Sequence, residues 1–103
     1  STGAPVRIEG SEEVLDAQLV LIAMGFSGPT ADVYEAFGCE LVQVRDGVRP
    51  VLTEEGSHEV TCASDETKVY ATGDARTGSS LVVNAIVDGL ACAQEVASSF
   101  SVV

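Results

Sequence analysis

Positive charge is scarce in this chain: five Lys and Arg stand against sixteen Asp and Glu in 103 residues, a formal charge of −11. A surface so acidic repels phosphate backbones and anionic lipid, which argues against nucleic acid and membranes as partners. The acids are scattered along the chain, whereas a calcium or magnesium site needs several oxygen ligands converging at close spacing, so no metal site is expected. Cysteine is limited to Cys39, Cys62 and Cys92, too far apart for a metal-binding C-x-x-C. Their odd count fits buried, reduced thiols of a cytoplasmic protein better than a disulfide framework. The single histidine, His58, lies in a polar loop beside Glu59 and reads as structural or merely exposed. Without a second histidine or a nucleophile beside it, hydrolase chemistry finds no support, and no catalytic residue is assigned. No apolar run approaches the roughly eighteen residues needed to cross a bilayer. There is no initiating methionine, the only Met is Met24, and the opening Ser-Thr-Gly-Ala lacks the zones of a signal peptide. A Gly-x-Gly-x-x-Gly loop is missing, and so is a cysteine set for iron–sulfur clusters. These absences describe a piece of something larger rather than a complete catalyst.

What is present concentrates in residues 68–100. Val69, Tyr70, Ala71 and Thr72 form a short run of β-formers ending at Gly73, which suits a strand buried on both faces. Glycine there lets another backbone or a ligand approach closely, and Asp74 follows at the carboxyl edge, where open α/β sheets bind ligands. After a polar turn, Ser79 or Ser80 is placed to cap a helix running to about Ser98. Its apolar stripe passes through Leu81, Ala85, Gly89, Cys92, Val96 and Phe100, with Val82, Ile86 and Leu90 beside it.

Further upstream, residues 6–9 suit a short strand, and residues 19–23 a buried parallel strand closed by Met24-Gly25-Phe26. Residues 32–37 predict a helix of a turn or two stopped by Gly38. Residues 41–44 and 48–52 flank Asp46-Gly47, a strong hairpin signal, with Pro50 pushing the second arm towards an edge.

The sequence Val-Tyr-Ala-Thr-Gly-Asp at 69–74 resembles the carboxyl-terminal flavin-binding motif of the two-dinucleotide-fold flavoprotein reductases. Residues 73–86, Gly-Asp-Ala-Arg-Thr-Gly-Ser-Ser-Leu-Val-Val-Asn-Ala-Ile, look most like the small (beta) subunit of glutamate synthase, the Ser-Leu-Val-Val run being the discriminating part. Residues 19–29, with Phe26 and Gly28-Pro29, are similar to the segment that returns the chain from the NADPH domain to the FAD domain. The resemblance implies an α/β fold, a fragment of a two-dinucleotide-binding-domain reductase with short strands, a β-hairpin and a long C-terminal helix. It divides the chain into residues 1–28, the end of the NAD(P)H-binding domain and return strand, and residues 29–103, the C-terminal part of the FAD-binding domain. It also implies a cofactor-binding set of Gly25, Gly73, Asp74, Ser80 and Leu81. In that set Asp74 accepts from a ribityl hydroxyl of FAD, and the N–H groups of Ser80 and Leu81 face the pyrimidine edge of the flavin.

Such subunits take electrons from NADPH onto FAD and pass them through iron–sulfur centres to a large subunit that makes glutamate. The implied partners are therefore the remainder of the reductase chain and the glutamate synthase large subunit, with NADPH and iron–sulfur clusters in the parent only. Thr77 stands in place of a frequent second arginine and Asn84 in place of tryptophan, which leaves the subfamily open. An NADPH:ferredoxin reductase or a dihydropyrimidine dehydrogenase-type module is the alternative. From a different class comes a non-catalytic acidic interaction domain. The isolated chain is expected to be inactive and to associate with itself.

Overall fold

The computed structural model describes residues 5–64 and 66–100. Seven elements follow in order: α1 (Ala31–Glu35), β1 (Leu41–Val44), β2 (Gly47–Pro50), β3 (Glu59–Val60), β4 (Val69–Tyr70), α2 (Asp74–Thr77) and α3 (Val82–Ser99). The chain is thus a mixture of helices and short strands with a long C-terminal helix.

α1 ends where glycine allows it to end. Gly38 takes a left-handed conformation (φ +67°), its N–H donates to the Glu35 carbonyl at 2.9 Å, and the next N–H, of Cys39, reaches back to Tyr34 at 3.1 Å. This paired return of bonds satisfies the last carbonyls of the helix and turns the chain into the sheet. β1 and β2 then form an antiparallel hairpin in which Val44 faces Gly47 and Leu41 faces Pro50. The two-residue turn is therefore Arg45-Asp46, one position earlier than the expected Asp46-Gly47. Gly47 opens the second strand at φ +134°, a value that side chains resist.

β3 and β4 pair antiparallel, Glu59 with Tyr70 and Val60 with Val69. Isolated bridges between Cys39 and Cys62 and between Leu52 and Val60 stitch this pair to the hairpin. β4 is accordingly shorter than the expected strand through Thr72, and half-buried rather than covered on both faces. One side packs towards α1 and α2, where Tyr34 is buried and its hydroxyl donates to the Ala75 carbonyl at 3.0 Å. α3 is tied to β3 by Glu95, which accepts from the N–H groups of His58 and Glu59.

Upstream expectations fare differently. Residues 19–23 form no strand, and Leu21 is 80% exposed. A strand buried on both faces exists only when neighbours flank it, and among the described residues none pairs with this segment. Residues 6–9 do not extend into a strand either. Ser11 folds back, its N–H and hydroxyl both donating to the Ile8 carbonyl, and Arg7 pairs with Glu12 across the turn. The predicted serine caps of α3 are likewise replaced. Leu81 is the N-cap, in extended conformation and without a side-chain bond, because the unexpected short helix α2 and Gly78 (φ +91°) use residues 78–80 to redirect the chain.

Candidate functional site

The strand-to-helix turn after β4 is held from below by α3. Gly73 sits at φ +62°, and a Cβ there would lie 3.6 Å from that of Ala85, so glycine lets the turn lie close on the helix. The Gly73 N–H is not free for a ligand: it donates to Asp88 Oδ2 at 2.8 Å. Thr72 Oγ1 donates to the same oxygen at 2.8 Å, and the Arg76 guanidinium forms a two-pronged ion pair with the carboxylate. Arg76 chiefly, with the Gly73 N–H and the Thr72 hydroxyl, holds the Asp88 carboxyl well below the usual carboxylate range against the opposing effect of burial.

Asp88 belongs to a larger polar cluster. His58 is 5% exposed, with Nδ1 2.8 Å from Glu95 Oε2 and Nε2 3.3 Å from Asp88 Oδ1. Glu95 also accepts from the backbone N–H groups of His58 and Glu59 and from Ser57 Oγ. The His58 ring first, then these donors, depress its carboxyl to about 2, although desolvation opposes them. The two carboxylates thus tie the β3 loop and the Gly73 turn to one helix.

Above this support, Gly25, Phe26, Ser27, Gly28, Pro29, Asp74 and Ser79 line an open cavity of about 470 Å³. Two of the five site residues named from the sequence, Gly25 and Asp74, are therefore brought together across 49 positions. Gly73 is buried and does not line the cavity. Ser80 and Leu81 are exposed at the start of α3, whose first internal bonds run from the N–H groups of Asn84 and Ala85 to the Leu81 carbonyl. The N–H groups of the preceding residues point out of that end, as in any helix.

Arg49, 8% exposed, joins the two walls of the cavity. Its Nη1 donates to the Val48 carbonyl and its Nη2 to Asp46 Oδ2, both at 2.8 Å. A Cβ on Gly28 would stand 3.2 Å from Arg49 Nη1, and one on Gly78 2.4 Å from Nη2. The guanidinium consequently fills the space between the loop before α1 and the loop after α2.

Arg49, His58, Asp88 and Glu95 were not picked out as site residues. The available signal was on α3, where Asp88 and Glu95 lie beside the inward row Ala85, Gly89, Cys92, Val96. A carboxylate on a buried helix face needs a partner. Arg49 carries no comparable pattern. Among the described residues no group of three or more His, Cys, Asp or Glu side chains is arranged to hold a metal ion, and no helix is long and apolar enough to cross a membrane.

No protein-family model matches the chain, and no solved structure matches it. Curated proteins do. The chain is 36% identical over 91 residues to glutamate synthase [NADH] of Saccharomyces cerevisiae, covering 88% of this chain and 4% of that protein. It is 38% identical over 85 residues to the glutamate synthase [NADPH] small chain of Halomonas elongata, covering 82% of this chain and 17% of the relative. With the small chain of Bacillus subtilis the identity is 36% over 90 residues, covering 87% and 16%. The chain thus spans less than a fifth of the length of these relatives. The aligned stretch nevertheless takes in most of the present chain each time, so over most of its length the chain is homologous to one segment of these glutamate synthase chains.

Proposed function

We propose that the chain is the C-terminal FAD-binding portion of an NADPH-dependent glutamate synthase small subunit-like oxidoreductase, with residues 1–28 closing the NAD(P)H-binding domain and residues 29–103 completing the FAD-binding domain. The observation that carries this reading is the convergence of Gly25 and Asp74, from the two motif-bearing segments, on one cavity. Its donor set fits the group. Asp74 is exposed and offers a carboxylate, the acceptor suited to ribityl hydroxyls, with the Ser79 hydroxyl beside it. Gly25 (φ +81°) would meet nothing within 4 Å if given a Cβ, so its wall is open to a ligand. The exposed start of α3 at Ser80 and Leu81 places the positive end of an 18-residue helix where negative charge is stabilised.

Hydride and electron transfer are what FAD supplies when bound, and this chain's part is to hold and orient it. Asp74 anchors the polyol, Gly73 keeps Asp74 in place through its bond to Asp88, and the helix end tunes the flavin. Electrons would pass from NADPH to iron–sulfur centres held elsewhere in the parent, and then to a glutamate synthase large subunit. Thr77 and Asn84 depart from the small-subunit pattern and leave the subfamily open, so the second reading is a related NADPH:ferredoxin reductase or dihydropyrimidine dehydrogenase-type module that uses the same cavity with another acceptor.

The test is Asp74→Ala in the longer protein. A charge-assisted hydrogen bond contributes roughly 1.5–3 kcal/mol, so FAD affinity should fall by about tenfold to a hundredfold, read as flavin absorbance retained after extensive dialysis. Unchanged flavin content would sink the role given to Asp74. The 103-residue chain by itself should be colourless and should not oxidise NADPH, since no Gly-x-Gly-x-x-Gly loop lies within it to receive the pyrophosphate. A flavin band in the purified chain would overturn that expectation.

A further inference from the structure

Cys39 and Cys62 face each other as an antiparallel bridge. The bonds on either side define its type: Glu40 N–H donates to the Thr61 carbonyl at 2.9 Å, and Ala63 N–H donates to the Gly38 carbonyl at 3.0 Å. The flanking residues make the ladder bonds, so the cysteines occupy the narrow pair that makes none. Cα atoms in such a pair lie about 4.5 Å apart, within the roughly 4.4–6.8 Å that a disulfide spans. Their side chains leave the sheet on the same face. Both thiols are free and partly exposed, whereas Cys92 is buried. Burial first, and then the facing Cys62, push the Cys39 thiol up.

We propose that Cys39 and Cys62 form a thiol–disulfide exchange site, closing reversibly into an intrachain disulfide when they meet a small-molecule disulfide such as that of glutathione. One cysteine thiolate attacks the disulfide, forming a mixed disulfide and releasing one thiolate. The second cysteine attacks the protein-side sulfur, forming the Cys39–Cys62 bond and releasing the other thiolate. The two protein thiols are oxidised, the small disulfide is reduced to two thiols, and these take up the two protons. Because the second thiol already stands opposite the first, the mixed disulfide is short-lived. The bond closes a loop over residues 39–62 that carries both Arg49, which joins the cavity walls, and His58, which anchors α3.

The experiment uses the 103-residue chain incubated with glutathione disulfide, alkylated, and analysed by intact mass and peptide mapping. The expected product is lighter by about 2 Da before alkylation, with the Cys39 and Cys62 peptides joined and Cys92 alkylated only after unfolding. Cys39→Ser should instead accumulate a stable glutathione adduct, heavier by about 305 Da, on Cys62. A wild-type chain that remains fully reduced, that retains stable adducts on both residues, or that scatters its bridges among all three cysteines would overturn the proposal.

Discussion

Asp88 is the residue on which most of the site's geometry converges, because one carboxylate satisfies the Gly73 N–H, the Thr72 hydroxyl and the Arg76 guanidinium. Asp88→Ala would strand those donors, and a part-buried donor left without its partner costs roughly 1–3 kcal/mol. The expected outcome is a lower urea midpoint with an unchanged slope, while Asp88→Asn, which keeps one acceptor oxygen, should lose less. An alanine variant as stable as the parent would show that the turn holds itself. Acid should act through the same cluster. The Asp88 and Glu95 carboxyls are both depressed in the folded chain. Their contribution is therefore complete above the ordinary carboxylate value of 4.5 for Glu95 and is lost as pH falls through the folded value of about 2. Thermal melts between pH 5 and 2 should show a falling midpoint, and Glu95→Gln should flatten the upper part of that fall. An identical acid limb in the variant would remove Glu95 from the account.

At the scale of elements, the hairpin and the segment before α1 meet through a glycine. A Cβ on Gly47 would stand 2.6 Å from the Ser27 carbonyl oxygen, which is backbone and cannot swing aside, and φ there is +134°. Gly47→Ala should cost roughly 1–3 kcal/mol in strain and part the cavity wall at Ser27-Gly28 from the hairpin, detectable as faster amide exchange at Ser27 and Gly28. Unaltered exchange would mean the two segments are not coupled. The hairpin was legible in the sequence because turn chemistry is local, but its register slipped by one: Asp-Gly marks a turn without saying whether Gly sits in the turn or begins the strand. The length of α3 was legible from composition, and its face only in part. The expected stripe proves half right, since Cys92 is buried whereas Leu81, Ile86 and Leu90 are exposed. Hydrophobicity ranks the apolar side as the inner one. Here the neighbours present are polar donors, and the face bearing Asp88 and Glu95 turns inward to meet them. The strand expected at residues 19–23 failed for a related reason: an apolar run states a need for flanking strands without supplying them. Gly25 and Asp74, which line one cavity, were each named from a motif of their own, whereas Arg49 acts through the space between two glycines, which no spacing rule encodes.

At the scale of the whole molecule, the surface is larger than a monomer of this size sustains. The accessible area is 8492 Å², against about 5,500 Å² for a compact 10.6 kDa protein, and the radius of gyration of 19.0 Å compares with about 13 Å. Much of the excess is apolar, in Leu19, Leu21, Ile22, Met24 and Phe26 on one segment and in Val82, Ile86 and Leu90 along α3. In the reductase proposed above these surfaces would pack against the rest of the protein; in the isolated chain a second copy can cover them. Burying about 1,000 Å² of such surface contributes on the order of 25 kcal/mol before the cost of association is subtracted, enough to offset that cost. The charge of −11 per chain opposes the contact, and at 0.1 M salt screening removes most of the repulsion between charges more than about 10 Å apart. Association should therefore tighten as salt rises, the reverse of an interface held by ion pairs. Sedimentation at micromolar concentration across a salt series should give a dimer or larger species whose dissociation constant falls with ionic strength. A single monomer that unfolds cooperatively at every salt concentration would show that the chain closes its own core and that these apolar faces need no partner.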